Sequence, residues 1–214
     1  MKQIPILILL GLALSLCNLT NRFKNTGNSN SNSSSSGVGS SSSASDGITA
    51  ETAQPTAAQT AALAGGEEFK WVKQGMSWTA PPKWTKTTDD RNSFALRSPG
   101  SWDAANLIVS VSAMADDFPV PESLKATYEG ARTRQKNGEL DQLRWLEIDG
   151  VKGVQFREAT PDKPDDIRRM QWIAYRKYAN QVQYVNIILS TDGKDFGKHE
   201  DAMYGVLYSM KLDH

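Results

Sequence analysis

The stretch IRRMQWIAYRKYANQVQYVNIILS, residues 167–190, predicts the central β-hairpin of the fold. In each half, an apolar set of side chains alternates with a mixed set, which is the period of two expected for half-buried strands. A two-residue turn at Ala179-Asn180 sets Trp172 opposite Ile187, and the face that carries them is then continuously apolar. Asn tolerates the positive φ that such a turn requires.

The chain around this hairpin predicts further strands and two helices. Strand patterns cover residues 69–73, Met76–Ala80 and 107–113, and a second hairpin turns at Asp149-Gly150. The first helix is predicted from Pro121 to Asn137-Gly138, and the last spans about residues 195–210 with one apolar side. Helices that are separate from hairpin-linked strands indicate an α+β fold, an antiparallel β-sheet flanked by helices.

The N-terminal third differs in composition from the rest of the 214-residue chain. Residues 4–16 are almost wholly apolar, but a transmembrane helix needs about 20 such residues, so a secretory signal is the better interpretation. Residues 18–66 are rich in Ser, Asn, Gly, Ala and Thr, which bury too little apolar area to offset chain entropy. We expect a signal peptide over 1–17, a flexible tether over 18–66 and a globular domain over 67–214.

The signal ends in Leu14-Ser15-Leu16-Cys17, which resembles the Leu-Ser-small-Cys box of bacterial lipoproteins. The resemblance implies that Cys17, the only cysteine, becomes the lipid anchor and first residue of the mature protein. Leu16 departs from the family's small residue, and the alternatives are cleavage after Ser15 by an ordinary signal peptidase or an uncleaved signal anchor. In Gram-negative lipoproteins, an Asp directly after the lipidated Cys resembles a signal for retention at the inner membrane, but position 18 here is Asn. This analogy favours an exported protein at the outer membrane, facing the periplasm.

The charge of the chain does not favour a nucleic-acid partner, because Lys plus Arg and Asp plus Glu both total 24. The basic pairs Arg168-Arg169 and Arg176-Lys177 are interpreted as solvated strand edges, since neighbours on a strand point to opposite faces.

Motifs of catalysis are also missing from the sequence. There is no Gly-x-Ser-x-Gly elbow and no phosphate-binding Gly-rich loop. The segment His199-Glu200-Asp201, with Asp195, offers a pair of metal ligands where zinc needs three or four. We therefore expect no enzyme, no metal and no cofactor, with an unrecognised hydrolase as the least favoured alternative.

Several short patterns resemble those of the PsbP-like group, which includes DcrB-type and LpqN-type bacterial lipoproteins and a nuclear transport factor that binds the Ran GTPase. They are a Pro-x-Trp at Pro82 and Trp84, a strand that ends Leu96-Arg97-Ser98-Pro99, and a final helix that ends Tyr208-Ser209-Met210-Lys211. The likeness covers residues 76–212. It implies an α/β/α sandwich with an antiparallel sheet, in a family whose better-known members are binding or assembly factors rather than enzymes.

The resemblance and the signal together predict a non-enzymatic envelope lipoprotein that acts as a protein-binding or assembly module. Its partners are then the membrane, through the lipid anchor, and an envelope protein. The alternative is a small-molecule or cell-wall glycan-binding protein that uses Trp102, Trp145 or Tyr175 as a stacking platform.

The candidate partner-binding patch lies on the central hairpin, near its turn. It consists of Tyr175, Lys177, Tyr178 and Tyr184, because aromatic residues beside Lys or Arg are common anchors of protein interfaces. The alternative is that Tyr175 and Tyr184 pack beneath the first helix.

The lipid anchor gives the first testable prediction. The mature protein should begin at a lipidated Cys17 and should partition with membranes, because two or three acyl chains hold a protein firmly where one holds it only marginally. Mass spectrometry of the mature N-terminus checks this. A terminus at Leu16, or an intact Met1, contradicts it.

Overall fold

The computed structural model describes residues 49–214; the predicted signal peptide, Cys17 and the tether up to residue 48 lie outside the described residues. The strands are β1 Glu51–Thr52, β2 Glu67–Trp71, β3 Met76–Ala80, β4 Thr85–Asp89, β5 Ser93–Arg97, β6 Asn106–Ala113, β7 Leu140–Ile148, β8 Val151–Glu158, β9 Ile167–Tyr178, β10 Gln181–Asp192 and β11 Lys211–Leu212. The helices are α1 Ala57–Ala62, α2 Val120–Lys136 and α3 Phe196–Tyr208, with 3₁₀ turns at Val72–Gln74 and Gly193–Asp195. Within 49–214, no helix is both long and apolar enough to cross a bilayer.

The β9–β10 hairpin lies inside an eight-stranded sheet of order β1-β7-β8-β9-β10-β6-β5-β4. Its register sets Trp172 opposite Ile187, as predicted. The turn residues Ala179 and Asn180 both have positive φ, 50° and 61°, which a two-residue turn between twisted strands requires. The strands pair antiparallel except for the short parallel pairing of β1 with β7. The predicted α+β fold with an antiparallel sheet flanked by helices is confirmed.

One face of this sheet carries the main hydrophobic core. Trp172 and Ile187 are fully buried there, in one cluster with Met203, Val206 and Leu207 of α3. The indole nitrogen of Trp172 donates a hydrogen bond of 3.1 Å to the carbonyl oxygen of Leu146. The last helix therefore covers the apolar face of the hairpin, as its side-chain spacing predicts.

A second, three-stranded sheet of order β11-β3-β2 covers the remainder of that face. The sequence analysis predicts β2 and β3 as strands but does not separate them from the main sheet. The strand β11 completes this sheet by pairing Leu212 with Met76. No local pattern encodes a pairing between two-residue segments so far apart in the sequence.

The opposite face of the main sheet is covered in part by α2. The helix contacts β7, β8 and β9, and Leu124 and Ala131 contribute to a second, smaller buried cluster with Val154 and Ile173. It ends where Gly138 adopts a positive φ of 79°, which confirms the predicted glycine stop.

The predicted boundary between tether and domain at residue 67 is too late. Helix α1 begins with a capping box, in which the Thr56 side chain accepts from the Gln59 backbone and the Gln59 side chain accepts from the Thr56 backbone. The helix packs on α3 at Gly205, where an added Cβ would lie 2.7 Å from the carbonyl oxygen of Gln59. Composition misled the prediction because the alanines of this segment also make it a good helix former.

The packing of Trp172 gives the second prediction. Trp172→Ala should lower the free energy of unfolding by about 3 to 5 kcal/mol, because it removes a fully buried aromatic ring and leaves a cavity. Chemical denaturation measures the loss. Trp102→Ala is the matched control, since Trp102 is 88% exposed and its loss should change stability by less than about 0.5 kcal/mol. A loss below about 1 kcal/mol for Trp172→Ala contradicts the described core.

Candidate functional site

The tyrosines of the sequence-predicted patch lie beneath α2 and the loop before it. Tyr175 and Tyr184 face each other across the hairpin with ring centroids 5.4 Å apart, and both pack against the second buried cluster. The ring centroid of Phe118 lies 5.1 Å from that of Tyr175. Burial raises the pKa of both phenols. These contacts favour the packing alternative for the pair.

The other two members of the patch, Lys177 and Tyr178, lie on opposite faces of the hairpin. Lys177 is exposed on the same face as Tyr175, whereas Tyr178 lies on the opposite face, where its ring stands 4.6 Å from the guanidinium carbon of Arg176. Because neighbours on a strand point to opposite faces, the four residues do not form one surface.

A cleft does open beside the turn of the hairpin, on the face of Tyr178. It has a volume of about 700 Å³ and is formed by the hairpin turn, the 3₁₀ turn after β2, the β4–β5 turn and the end of β6. We call it the hairpin-tip cleft. Its lining residues are Lys73, Gln74, Arg91, Asn92, Val111, Ala113, Tyr178, Ala179, Gln181 and Gln183.

Side chains of the β2 end and the 3₁₀ turn hold the β4–β5 turn in place. The indole nitrogen of Trp71 donates to the carbonyl oxygen of Asp90 at 3.0 Å, and the Gln74 amide donates to that of Arg91 at 2.7 Å. The Lys73 ammonium also donates to the Asp89 carbonyl at 3.3 Å. One wall of the hairpin-tip cleft is therefore fixed by bonds to backbone rather than left to an isolated loop.

Arg176 lies behind the floor of the cleft and is only 4% exposed. Its Nε donates to Oε1 of Gln183 at 3.2 Å, and Nη1 donates to the carbonyl oxygens of Gly75 and Asp213 at 3.3 and 3.0 Å. Nη2 donates to the carbonyl oxygen of Gln74. All four acceptors are neutral oxygens, and burial lowers the pKa of the guanidinium.

Gly75 makes this arrangement possible. Its φ is +53°, and an added Cβ would lie 2.5 Å from Cε2 of Tyr178. A side chain here would be strained by the left-handed backbone and would also push Tyr178 off Arg176.

The rim of the cleft is positively charged. The Lys73 ammonium lies 3.7 Å from Oδ1 of Asp89, but Asp89 also binds Lys86 at 2.8 Å, so one carboxylate serves two ammonium groups. The hydrogen bond from Lys86 is the main reason that the pKa of Asp89 is lowered. Arg91 is exposed, forms no ion pair within residues 49–214, and is not joined by any acidic residue among the described residues that line the cleft.

A second polar cavity, of about 260 Å³, lies between α1, α3 and the β7–β8 strands. Its two arginines are already paired, Arg144 with Glu51 and Arg157 with both Asp141 and Glu200. Because its charges are balanced internally, this cavity is a weaker candidate for a charged ligand than the hairpin-tip cleft.

The residues named for metal binding make contacts within the protein. A ring nitrogen of His199 lies 2.7 Å from the carbonyl oxygen of Asp103, and Glu200 is paired with Arg157. In the part of the chain that the structure describes, no three His, Cys, Asp or Glu side chains are grouped to hold a metal ion.

The sequence analysis missed most of the cleft, and it interpreted Arg176 wrongly as part of a solvated edge. One signal was available: Arg176 shares the phase of Trp172 and Ala174, so period two places it on the buried face. Lys73 and Arg91 carry no such signal, because they meet only through tertiary contacts.

No family model and no curated protein matches the sequence. Solved structures match in fold, among them one from Bacteroides thetaiotaomicron at 14% identity and a TM-score of 0.46, over 70% of this chain and 49% of that chain. This chain thus spans about half the length of that structure. Cyanobacterial PsbP (CyanoP) from Synechocystis is 13% identical over 69% of this chain and 92% of that chain, with a TM-score of 0.45.

The Ran-binding protein Mog1p from Saccharomyces cerevisiae is 11% identical over 69% of this chain and 95% of that chain, with a TM-score of 0.43. A PsbP protein and a Ran-binding protein are thus both among the structures that this chain is similar to, which is consistent with the PsbP-like fold expected from the sequence. The similarities concern the fold, and none of them assigns a ligand or a partner to this chain.

Proposed function

We propose that this chain is a non-enzymatic, exported lipoprotein that binds another protein of the cell envelope, and that the hairpin-tip cleft is its binding site. The observation that carries the proposal is the cleft itself. Its volume of about 700 Å³ lies within the range of concave sites that bind small molecules, which is room enough for side chains of a partner protein. Its floor is locked by the bonds of Arg176, and its rim carries Lys73 and Arg91.

Three features of the cleft suit a protein partner. The cleft lies at the end of a hairpin whose turn residues, Ala179 and Asn180, are exposed, so a second protein can reach it. Its lining combines the aromatic ring of Tyr178 and the guanidinium of Arg91 with small apolar surface from Ala113. Aromatic and Arg side chains are enriched at protein interfaces, whereas a fixed backbone reduces the entropy lost on binding.

Export and anchoring are supported by the sequence. The apolar run at residues 4–16 and the box that ends at Cys17 are the features on which this part of the proposal rests. The placement at the outer membrane, facing the periplasm, rests on Asn18 and on analogy with Gram-negative lipoproteins.

Glycan binding is the second candidate function, and Trp102 is the observation that favours it. Trp145 is already stacked on Tyr128, with centroids 4.7 Å apart and planes 7° from parallel, and Tyr175 is packed under α2. Trp102, in contrast, is 88% exposed. Its loop is braced by hydrogen bonds from Arg97 to the Ser101 carbonyl and from the Ala105 backbone to Ser98. An exposed ring on a braced loop is suited to stacking against a sugar.

The third prediction is that the lining of the cleft contacts one envelope protein, and site-specific crosslinking in the cells that naturally make the protein measures this. Gln181→p-benzoylphenylalanine places a photo-crosslinker in the lining of the cleft, and Lys177→p-benzoylphenylalanine places the same group on the opposite face of the hairpin. The first should crosslink to one defined envelope protein and the second should not. The crosslink should disappear when Lys73→Gln and Arg91→Gln are added.

Equal crosslinking from both positions, or none from position 181, contradicts the proposal. Soluble cell-wall fragments test the second candidate, because a thermal shift that is lost in Trp102→Ala but kept in Lys73→Gln would move the function from the cleft to the Trp102 loop.

A further inference from the structure

We propose that the hairpin-tip cleft recognises a carboxylate group, presented by an acidic segment of the partner protein. The choice of a protein partner rests on the proposed function, whereas the preference for an anion follows from the hydrogen-bond directions in the floor of the cleft and the preference for a carboxylate from the apolar surfaces around it.

Arg176 fixes the orientation of the Gln183 side-chain amide. A guanidinium has only donors, so the atom of Gln183 that faces Nε of Arg176 must be the amide oxygen, at 3.2 Å. The amide nitrogen of Gln183 is then turned away from Arg176. Gln183 is 6% exposed, so burial and the guanidinium together fix this orientation.

The orientation of Gln183 in turn fixes the orientation of the Gln74 amide. The Gln183 nitrogen donates to Oε1 of Gln74 at 3.0 Å, which makes the remaining atom of the Gln74 amide its nitrogen. That nitrogen donates to the carbonyl oxygen of Arg91 at 2.7 Å. One buried cation thus sets the direction of a chain of hydrogen bonds, and bonds in such chains polarise one another.

Each of the two amides keeps one N–H group that the chain of hydrogen bonds does not use. A Gln amide carries two N–H groups, and the bonds above use one from Gln74 and one from Gln183. Both side chains line the cleft. The oxygens of both amides already accept hydrogen bonds within this network. Each amide can therefore offer a ligand one N–H group.

The positive charge around the cleft also favours an anionic ligand. The guanidinium of Arg176 hydrogen-bonds to neutral oxygens, with the Asp213 carboxylate as a nearby negative charge, and Lys73 and Arg91 add exposed positive charge at the rim. An anion that enters the cleft gains charge-assisted hydrogen bonds and is attracted by all three cations. Floor and rim therefore both select for an oxyanion.

The surroundings favour a carboxylate on a protein over a phosphate. The lining of the cleft contains the two cations of the rim and also the apolar or aromatic surfaces of Val111, Ala113 and Tyr178. A Glu side chain fits this mixture, because its methylene groups can lie against the apolar surface while its oxygens reach the amides. A free phosphate leaves that surface uncovered.

The test uses the purified full-length protein in detergent micelles and titrates it by calorimetry with three probes: capped hexaglutamate, capped hexaglutamine and inorganic phosphate. Hexaglutamate should bind, and its affinity should fall as salt rises from about 0.05 M to about 0.5 M. Hexaglutamine should not bind, and phosphate should bind at least about tenfold more weakly than hexaglutamate. Phosphate that binds as tightly as hexaglutamate overturns the carboxylate assignment and points to a free oxyanion as the ligand.

Two sets of variants place the binding in the cleft. The pair Lys73→Gln and Arg91→Gln should weaken hexaglutamate binding by roughly tenfold to a hundredfold, as expected when hydrogen bonds to a charged group are lost. The matched control pair is Lys177→Gln and Arg132→Gln, which removes the same charge from exposed positions on the hairpin's other face and on α2. Equal weakening by the two pairs overturns the proposal, because it indicates attraction by net charge alone.

The variant Gln183→Glu tests the floor. The new carboxylate still accepts from Arg176 but replaces an N–H donor with a charged acceptor, so hexaglutamate binding should be lost while the circular dichroism spectrum is kept. Retained binding contradicts the proposal. If the variant fails to fold, the Lys73→Gln and Arg91→Gln pair alone tests whether hexaglutamate binds in the cleft. The outcomes separate the two proposals: a crosslink from position 181 without hexaglutamate binding overturns only the carboxylate inference, and binding without a crosslink overturns only the proposed function.

Discussion

The burial of one guanidinium, that of Arg176, is the constraint on which the tip of this fold depends. A charge withdrawn from water is costly unless its donors are satisfied, and no carboxylate within residues 49–214 is hydrogen-bonded to Arg176. Oxygens must therefore converge on it from separate parts of the chain. Gln74 and Gly75 come from the 3₁₀ turn of the second sheet, Asp213 from the C-terminal segment, and Gln183 from the facing strand. The same bonds that satisfy the charge join the second sheet to the hairpin and build the floor of the cleft.

Much of the fold could be predicted from the sequence because its signals are local. The period of two in β9 and β10 sets the register, and Gly138 ends α2 where a left-handed residue is required. The third strand of the second sheet could not be predicted, because β11 pairs with β3 over two residues only. The early start of the domain was hidden for a different reason: an alanine-rich segment looks like a tether by composition, yet forms a helix once α3 offers Gly205 to pack against.

The patch predicted from the sequence and the hairpin-tip cleft lie near the same turn, but they consist of mostly different residues. Tyr178 is the member that both the sequence and the cleft share. The patch failed as one surface because Tyr178 and Tyr175 have opposite phase on the strand, which the sequence itself records. The position of Arg176 on the buried face of the strand could also have been predicted from the period of two. Those of Lys73, Gln74 and Arg91 could not, since their position beside the hairpin depends on hydrogen bonds from one turn to the backbone of another.

The central claim is that Arg176 directs the Gln183 and Gln74 amides so that each keeps one N–H for a ligand. Nuclear magnetic resonance of the isotope-labelled protein tests it most directly, by the exchange with water of the individual side-chain amide protons. For each glutamine, the account predicts one slowly exchanging proton, held in the chain of hydrogen bonds, and one fast proton that faces the cleft. If both protons of either amide exchange slowly, or both exchange at the rate of an exposed glutamine, the described floor is contradicted.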